Sequence, residues 1–341
     1  MSGAAPTESA APVLAIRGLE VRFRTETGEL APVCGVDLDV FAGRVTALVG
    51  ESGSGKSVTS LAVMGLLPRP AGRIGAGTIH YTGKSGVVTD LATAPASAMR
   101  AFRGSEIAMI FQEPMTSLNP VLTVGEQIAE QVRLHMRVNS RAAWRRAEEM
   151  LGLVEIPDAH RRARDYPHQM SGGMRQRVMI ALAMSCNPRL LIADEPTTAL
   201  DVTIQAQILA LIDRLRRDHG MGVLFITHNL GVVAEVADTV TVMYAGEVVE
   251  RADVRTLFHA PRHPYTRALM DCLPARAART QDGRRIVRSI PGTVATAFNA
   301  PGCRFEPRCA LRDGECTAAG PALREIAAGH ASRCRKWEAL A

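Results

Sequence analysis

Polar and apolar residues alternate over positions 13–24 and again over 33–41, which predicts an antiparallel strand pair with Thr27-Gly28-Glu29 at its turn. Val45–Val49 is a short apolar run that leads straight into a glycine-rich segment. Residues 56–67 then have helical spacing, stopped by Pro68 and Pro70. The stretch 71–100 is rich in Gly, Ala, Ser and Thr, with one strand expected around Ile79–Thr82, and Ile107–Phe111 reads as a buried strand. From 113 to 188 the period changes to helical: Val124–Arg137, Ser140–Leu153 with Ser140 as N-cap, and 172–186. Apolar strand runs return at Leu190–Ala193 and Gly222–Thr227. A helical pattern at about 203–219 lies between them, and that order predicts a βαβ crossover and a parallel sheet. Thr239–Val249 reads as further strand. From about 276 the pattern is irregular. No internal repeat or heptad run is present, and no apolar run approaches the ~18–20 residues that cross a bilayer.

Two segments carry chemistry in this α/β frame. Gly50-Glu51-Ser52-Gly53-Ser54-Gly55-Lys56-Ser57 follows a strand and opens a helix, the context a phosphate-binding loop requires. Its glycines let successive backbone N–H groups turn toward a β-phosphate, and the helix N-terminus adds positive partial charge. Lys56 would reach the β- and γ-phosphates, and Ser57 would ligate Mg²⁺. The apolar run Leu190–Ala193 ends in Asp194, expected near the phosphates as a Mg²⁺ ligand. Glu195 follows as the candidate general base that polarises the attacking water.

Ser171-Gly172-Gly173, within the string Met170–Val178, lies between these two segments, and His228 follows the later strand. In this order the chain resembles the nucleotide-binding subunit of an ATP-binding cassette (ABC) transporter. The resemblance implies an ABC ATPase core with an antiparallel β-subdomain and a helical subdomain. It implies that Gln112 is a glutamine sensing Mg²⁺ and the γ-phosphate, and that His228 is a switch residue contacting that phosphate. Asp201 falls in the loop that crosses to a partner subunit, and Phe23 is the candidate for stacking on adenine. Ser171, Gly172 and Gly173 would contact ATP held by the other subunit of a head-to-tail dimer. Met174 stands where the family commonly has Gln, which leaves the phosphate-contacting residues intact.

Longer strings narrow the resemblance. Phe111–Pro120, Leu191–Ile208, His263–Leu269 and Ile290–Val294 are similar to the ATPase subunits of oligopeptide/dipeptide importers, with nickel importers as near relatives. This implies Mg-ATP hydrolysis coupled to peptide uptake, with nickel or another small solute as the alternative cargo. It also implies a second, different ATPase subunit, two membrane permeases and an external substrate-binding protein. The expected location is peripheral, on the cytoplasmic face of the plasma membrane. The first residues lack a basic start and an apolar core, so they read as a disordered lead-in rather than a secretory signal. The expected division is 1–12 lead-in, 13–275 ATPase with a helical subdomain at 113–188, and 276–341 extension.

Charge and cysteines single out that extension. It holds twelve Arg/Lys against six Asp/Glu, which accounts for the whole +6 excess of the chain. Cys34, Cys186 and Cys272 are scattered and expected as small core residues. Cys303, Cys309, Cys316 and Cys334 cluster in a Pro-, Gly- and Arg-rich segment with little core of its own, which suggests a metal staple. Their spacing lacks the C-x2-C pairs of common zinc sites, and nearby arginines would offset a four-thiolate [4Fe-4S] cluster. Zinc and free thiols remain open at this stage. Two rival classes stand beside the importer: a nucleic-acid-associated ABC ATPase and an iron–sulfur redox sensor. No coiled-coil or second cassette supports the first, and the complete hydrolytic set argues against the second.

Overall fold

A computed structural model describes residues 11–26, 28–112, 117–198, 200–273, 278–279, 285–286, 289–298 and 300–340. Residues 1–10 of the expected lead-in, 113–116 of the string after Gln112, and Ala199 lie outside them. In chain order the strands are β1 (Leu14–Thr25), β2 (Gly28–Val40), β3 (Val45–Val49), β4 (Gly72–Thr82), β5 (Val88–Asp90), β6 (Ile107–Ile110) and β7 (Leu190–Asp194). They continue with β8 (Gly222–Thr227), β9 (Thr239–Tyr244), β10 (Glu247–Asp253), β11 (Ala278–Arg279), β12 (Arg285–Ile286), β13 (Arg324–Ala327) and β14 (His330–Ser332).

A four-stranded sheet runs β2-β1-β4-β5, with β1 antiparallel to both neighbours. An eight-stranded sheet runs β13-β14-β10-β9-β3-β8-β7-β6. In it β9, β3, β8, β7 and β6 are mutually parallel, with β3 between β9 and β8. Both faces of that parallel part are covered, which is why its strands read as unbroken apolar runs. Side chains alternate between the faces. Leu190, Ile192, Leu224 and Ile226 join the core under the antiparallel sheet. Leu191, Ala193, Val223 and Phe225 join the core shared with the helices Val124–Met136, Ser140–Leu153 and Gly172–Met184. Each fully buried Leu or Ile contributes about 1.5–3 kcal/mol of transfer free energy. The two cores therefore hold the sheet in one register from opposite sides.

Local signals set the helix ends. Thr123 and Glu126 form a reciprocal capping box on Val124–Met136, and Arg137 ends that helix in the left-handed region. Asn139, not the expected Ser140, caps the next helix by accepting from the Ala142 N–H. Gly220 at φ 61° ends the helix Val202–His219.

The sequence reading differs from the structure in three further places. Thr239–Val249 is not one strand but the β9–β10 hairpin. Ala245 and Gly246 turn it with φ of 46° and 88°, the positive pair of a two-residue hairpin turn. The stretch 71–100 holds more order than one strand: β4 starts at Gly72, and β5 and the helix Ala96–Phe102 follow. The extension is less irregular than expected, because β14 pairs with β10 and β13 with β14, which lengthens the main sheet. Glu250, fully buried, fixes that junction. Its carboxylate takes His330 Nε2 at 2.8 Å and the His263 N–H at 3.0 Å.

Candidate functional site

Four parallel strands end side by side, and each is followed by a residue of the site. Gly50 follows β3, Gln112 lies just beyond β6, Asp194 ends β7, and His228 follows β8. Ligands of open α/β sheets bind at such carboxyl ends.

The loop after β3 is shaped by glycine. Gly50, Gly53 and Gly55 have φ of 156°, 79° and 103°. A Cβ on Gly55 would collide with the Pro32 carbonyl oxygen, and one on Gly50 with the Met243 carbonyl oxygen. Both obstacles are backbone and cannot swing aside. Gly55→Ala is therefore expected to destabilise the protein by about 2 kcal/mol or more and to abolish nucleotide binding. Thermal unfolding and nucleotide titration check this.

The loop curls around Lys56, which is 5% exposed. Its Nζ donates to the carbonyls of Gly50 at 2.8 Å and Glu51 at 2.9 Å. Burial pushes the ammonium below its ordinary pKa, and the carboxylates of Glu195, Asp194 and Glu51 oppose that shift. Ser57 Oγ donates to Asp194 Oδ1 at 3.3 Å, and Ser60 Oγ donates to Oδ2 at 3.4 Å. Burial raises the Asp194 carboxyl above its usual range, while the Ser57 hydrogen bond lowers it. A hydroxyl and a carboxylate meeting beside a phosphate loop make an oxygen pair suited to Mg²⁺.

Glu195 is held from three sides. Gln112 Nε2 donates to its Oε2 at 3.2 Å, and Thr198 Oγ1 donates to the same oxygen at 2.9 Å. His228 Nδ1 is 2.9 Å from Oε1. Burial alone would raise this carboxyl, but the hydrogen bonds from His228 and Thr198 bring it below its ordinary value. Glu195 is thus a carboxylate at neutral pH. Its backbone sits at φ 48°, in the left-handed region, and its N–H donates to the Ile226 carbonyl. A non-glycine residue held there carries strain, as residues at functional sites often do.

The other expected residues lie elsewhere. Ser171 caps the helix Gly172–Met184 by accepting from the Met174 N–H at 3.3 Å. Ser171 and Gly172 are exposed, and Gly173 packs close to Ile204. Among the described residues no hydrogen bond joins this triplet to residues 50–57. Asp201 caps the helix Val202–His219 through the Ile204 N–H at 2.9 Å. Phe23 is partly buried on β1 with its ring against Gly72. Sequence reasoning missed Ser60, one helical turn after Ser57, and Thr198, three residues after Glu195. It also missed Gln176, whose amide donates to the Pro196 carbonyl and so joins the Gly172–Met184 helix to the loop after Glu195.

Cys303, Cys309, Cys316 and Cys334 converge on one small pocket, together with His263, Phe305 and Lys336. In the placement seen, no three or more His, Cys, Asp or Glu side chains are grouped to hold a metal ion among the described residues. The Leu311 and Lys336 N–H groups each donate to a cysteine sulfur at 3.3 Å, those of Cys309 and Cys334. Burial raises the thiols of Cys303, Cys309 and Cys334, and the neighbouring cysteines raise them further, Cys334 to about 11.

Comparison with known proteins extends this picture. The ABC transporter family matches residues 33–198, and the oligopeptide/dipeptide transporter C-terminal region matches 249–316. A Brucella melitensis protein named for peptide import and ATP binding is 54% identical over 97% of this chain and 98% of its own length. The dipeptide transport ATP-binding protein DppD of Escherichia coli K12 is 48% identical over 94% of this chain and 96% of its own. Among solved structures, the dimeric ATP-binding cassette MJ0796, in a post-hydrolysis state bound to ADP and Pi, is similar with a TM-score of 0.62 at 26% identity. That match covers 71% of this chain and 99% of the other. Among the described residues no helix is long and apolar enough to cross a membrane.

Proposed function

This chain belongs to the ABC transporter family, and on that premise we propose that it is the ATP-hydrolysing subunit of an importer of di- and oligopeptides. The observation that carries the reading is the Glu195 carboxylate, held by Gln112, Thr198 and His228 beside Ser57–Asp194 and the Lys56 loop. Residues 50–57 cradle the phosphates, and Ser57, Asp194 and Gln112 hold Mg²⁺. Glu195 aligns the attacking water, and His228 senses the γ-phosphate. Ser171 and the Gly172 and Gly173 amides complete the site of a facing subunit. The exposure of Ser171 and Gly172 at a helix N-terminus supports that role, as does the dimeric form of MJ0796. Phe23 on the antiparallel sheet remains the proposed adenine contact, and Asp201 the contact across the dimer.

The relatives named for peptide and dipeptide transport support the cargo class. The partners proposed are a second ATPase subunit, two membrane permeases and, through them, a substrate-binding protein. The chain itself would sit peripherally on the cytoplasmic face of the membrane. ATP binding closes the ATPase pair and hydrolysis releases it, which drives the permeases between states. Phosphate release by the purified subunit pair tests the reading. Mg-dependent turnover supports it, and ATP binding without any turnover sinks it.

For residues 276–341 the proposed role is a metal staple, with Cys303, Cys309, Cys316 and Cys334 as ligands of a [4Fe-4S] cluster and zinc as the alternative. All four thiols line one pocket, where a bound cation would offset the mutual repulsion of their thiolates. The two N–H donors to sulfur suit a cluster. About four irons and matching sulfide per chain after anaerobic purification are expected; one zinc without sulfide would replace the cluster by zinc. Cys309→Ser is expected to lower the melting temperature by roughly 5 °C or more and to expose the extension to protease. An unchanged melting curve and digestion pattern would remove the staple.

A further inference from the structure

The four-cysteine segment reaches the phosphate loop through Arg308. Arg308 precedes Cys309 directly in sequence, and its side chain is 6% exposed. It donates to Glu51 Oε2 at 3.0 Å and to the Tyr244 hydroxyl at 3.3 Å. The carbonyls of Pro291 at 2.7 Å and Ile290 at 3.1 Å complete its shell. Glu51 is the second residue of the loop. Its N–H donates to the Tyr265 hydroxyl at 2.9 Å, and its carbonyl accepts Lys56 Nζ. The other Glu51 carboxylate oxygen is buried without a hydrogen-bond partner. Phe305, which lines the cysteine pocket, packs against the rings of Tyr244 and Tyr265 at 5.2 and 5.3 Å. The extension and the loop thus share one packed contact.

We propose that Arg308 is a positioning residue for nucleotide binding: it neutralises Glu51 so that the loop accepts a triphosphate, and it thereby ties the four-cysteine segment to the ATP site. The inference rests on the ATP reading above and not on which metal the cysteines hold. A carboxylate inside a loop built for anions is a liability. Unpaired, it would repel the incoming phosphates and compete with them for Lys56, whose amine already sits against the Glu51 backbone. A buried arginine with its other donors fixed on two main-chain carbonyls and the Tyr244 hydroxyl holds that charge in check without reaching the nucleotide. Its position beside Cys309 means that order in the cysteine segment is felt at the loop.

The test is MgATP affinity of the full-length protein, by fluorescence titration, with thermal unfolding in parallel. Arg308→Gln is expected to weaken affinity about tenfold or more, with kcat at saturating ATP within about twofold of the parent. Arg308→Lys, which keeps the charge, should retain most of the affinity. Adding Glu51→Gln to Arg308→Gln should recover most of the loss, because the unpaired charge is gone. A merely structural Arg308 would show no such rescue. The proposal is overturned if Arg308→Gln binds MgATP as the parent does, or if the Glu51→Gln addition deepens the loss. Absence of MgATP binding by the parent protein would instead sink the ATP reading itself.

Discussion

Glu195→Gln is expected to cut MgATP turnover by about 10²–10⁴-fold while leaving nucleotide affinity within a few-fold of the parent. The amide has the shape of the carboxylate, so contacts from Gln112 and Thr198 can persist after a small reorientation. What is lost is the negative charge that draws a proton from the attacking water. The geometry around Glu195 makes the effect specific. Its backbone is strained at φ 48°, and three side chains converge on two oxygens. Such convergence has no purpose for a surface turn. Single-turnover and steady-state phosphate release, with a parallel binding titration, check the prediction. Turnover within tenfold of the parent would remove Glu195 as the base.

Lys56→Ala acts one step earlier. Lys56 is 5% exposed and its ammonium is anchored on two loop carbonyls, so it is aimed before the nucleotide arrives. Charge-assisted hydrogen bonds contribute about 1.5–3 kcal/mol each, and the lysine is proposed to make one to each of two phosphates. Its loss is therefore expected to weaken MgATP binding by about 100-fold or more. It would also leave Asp194 and Glu195 without the opposing charge of the Lys56 ammonium. The two variants separate cleanly: Glu195→Gln binds without turning over, and Lys56→Ala does not bind. Calorimetric titration of both distinguishes them. Equal affinity in parent and Lys56→Ala would mean that the loop does not hold phosphate.

Most residues of the site are legible in the sequence because they sit at strand ends with a strong apolar signature. Leu190–Ala193 and Gly222–Thr227 are unbroken apolar runs since both sheet faces are covered. The residue that breaks each run is the one delivered to the site. The glycines of 50–57 were readable for a similar reason, because only glycine fits at Gly50 and Gly55 against neighbouring carbonyls.

The parts that escaped depend on long-range pairing. The β9–β10 turn uses Ala245-Gly246, without the Asn or Asp that usually marks positive φ at both positions. Strands β13 and β14 are three or four residues long, and β10, the partner of β14, lies some 80 positions earlier. Nothing in their own composition announces a sheet edge. The cap at Asn139 rather than Ser140 is a one-residue choice between two good capping residues. At the site, Thr198 was passed over because a hydroxyl after a turn is common. The Arg308–Glu51 contact spans 257 residues and had no sequence signal beyond the crowd of arginines around the cysteines. The cysteine spacing brought out the cluster, and the structure adds that all four line one pocket.

The most direct test of the central claim is uptake of a labelled dipeptide into proteoliposomes carrying the assembled transporter, with MgATP on the side of this subunit. The account predicts accumulation that requires hydrolysable ATP and falls at least about tenfold when this chain carries Glu195→Gln. Equal accumulation with the variant, or steady ATP hydrolysis without any movement of peptide, would contradict it.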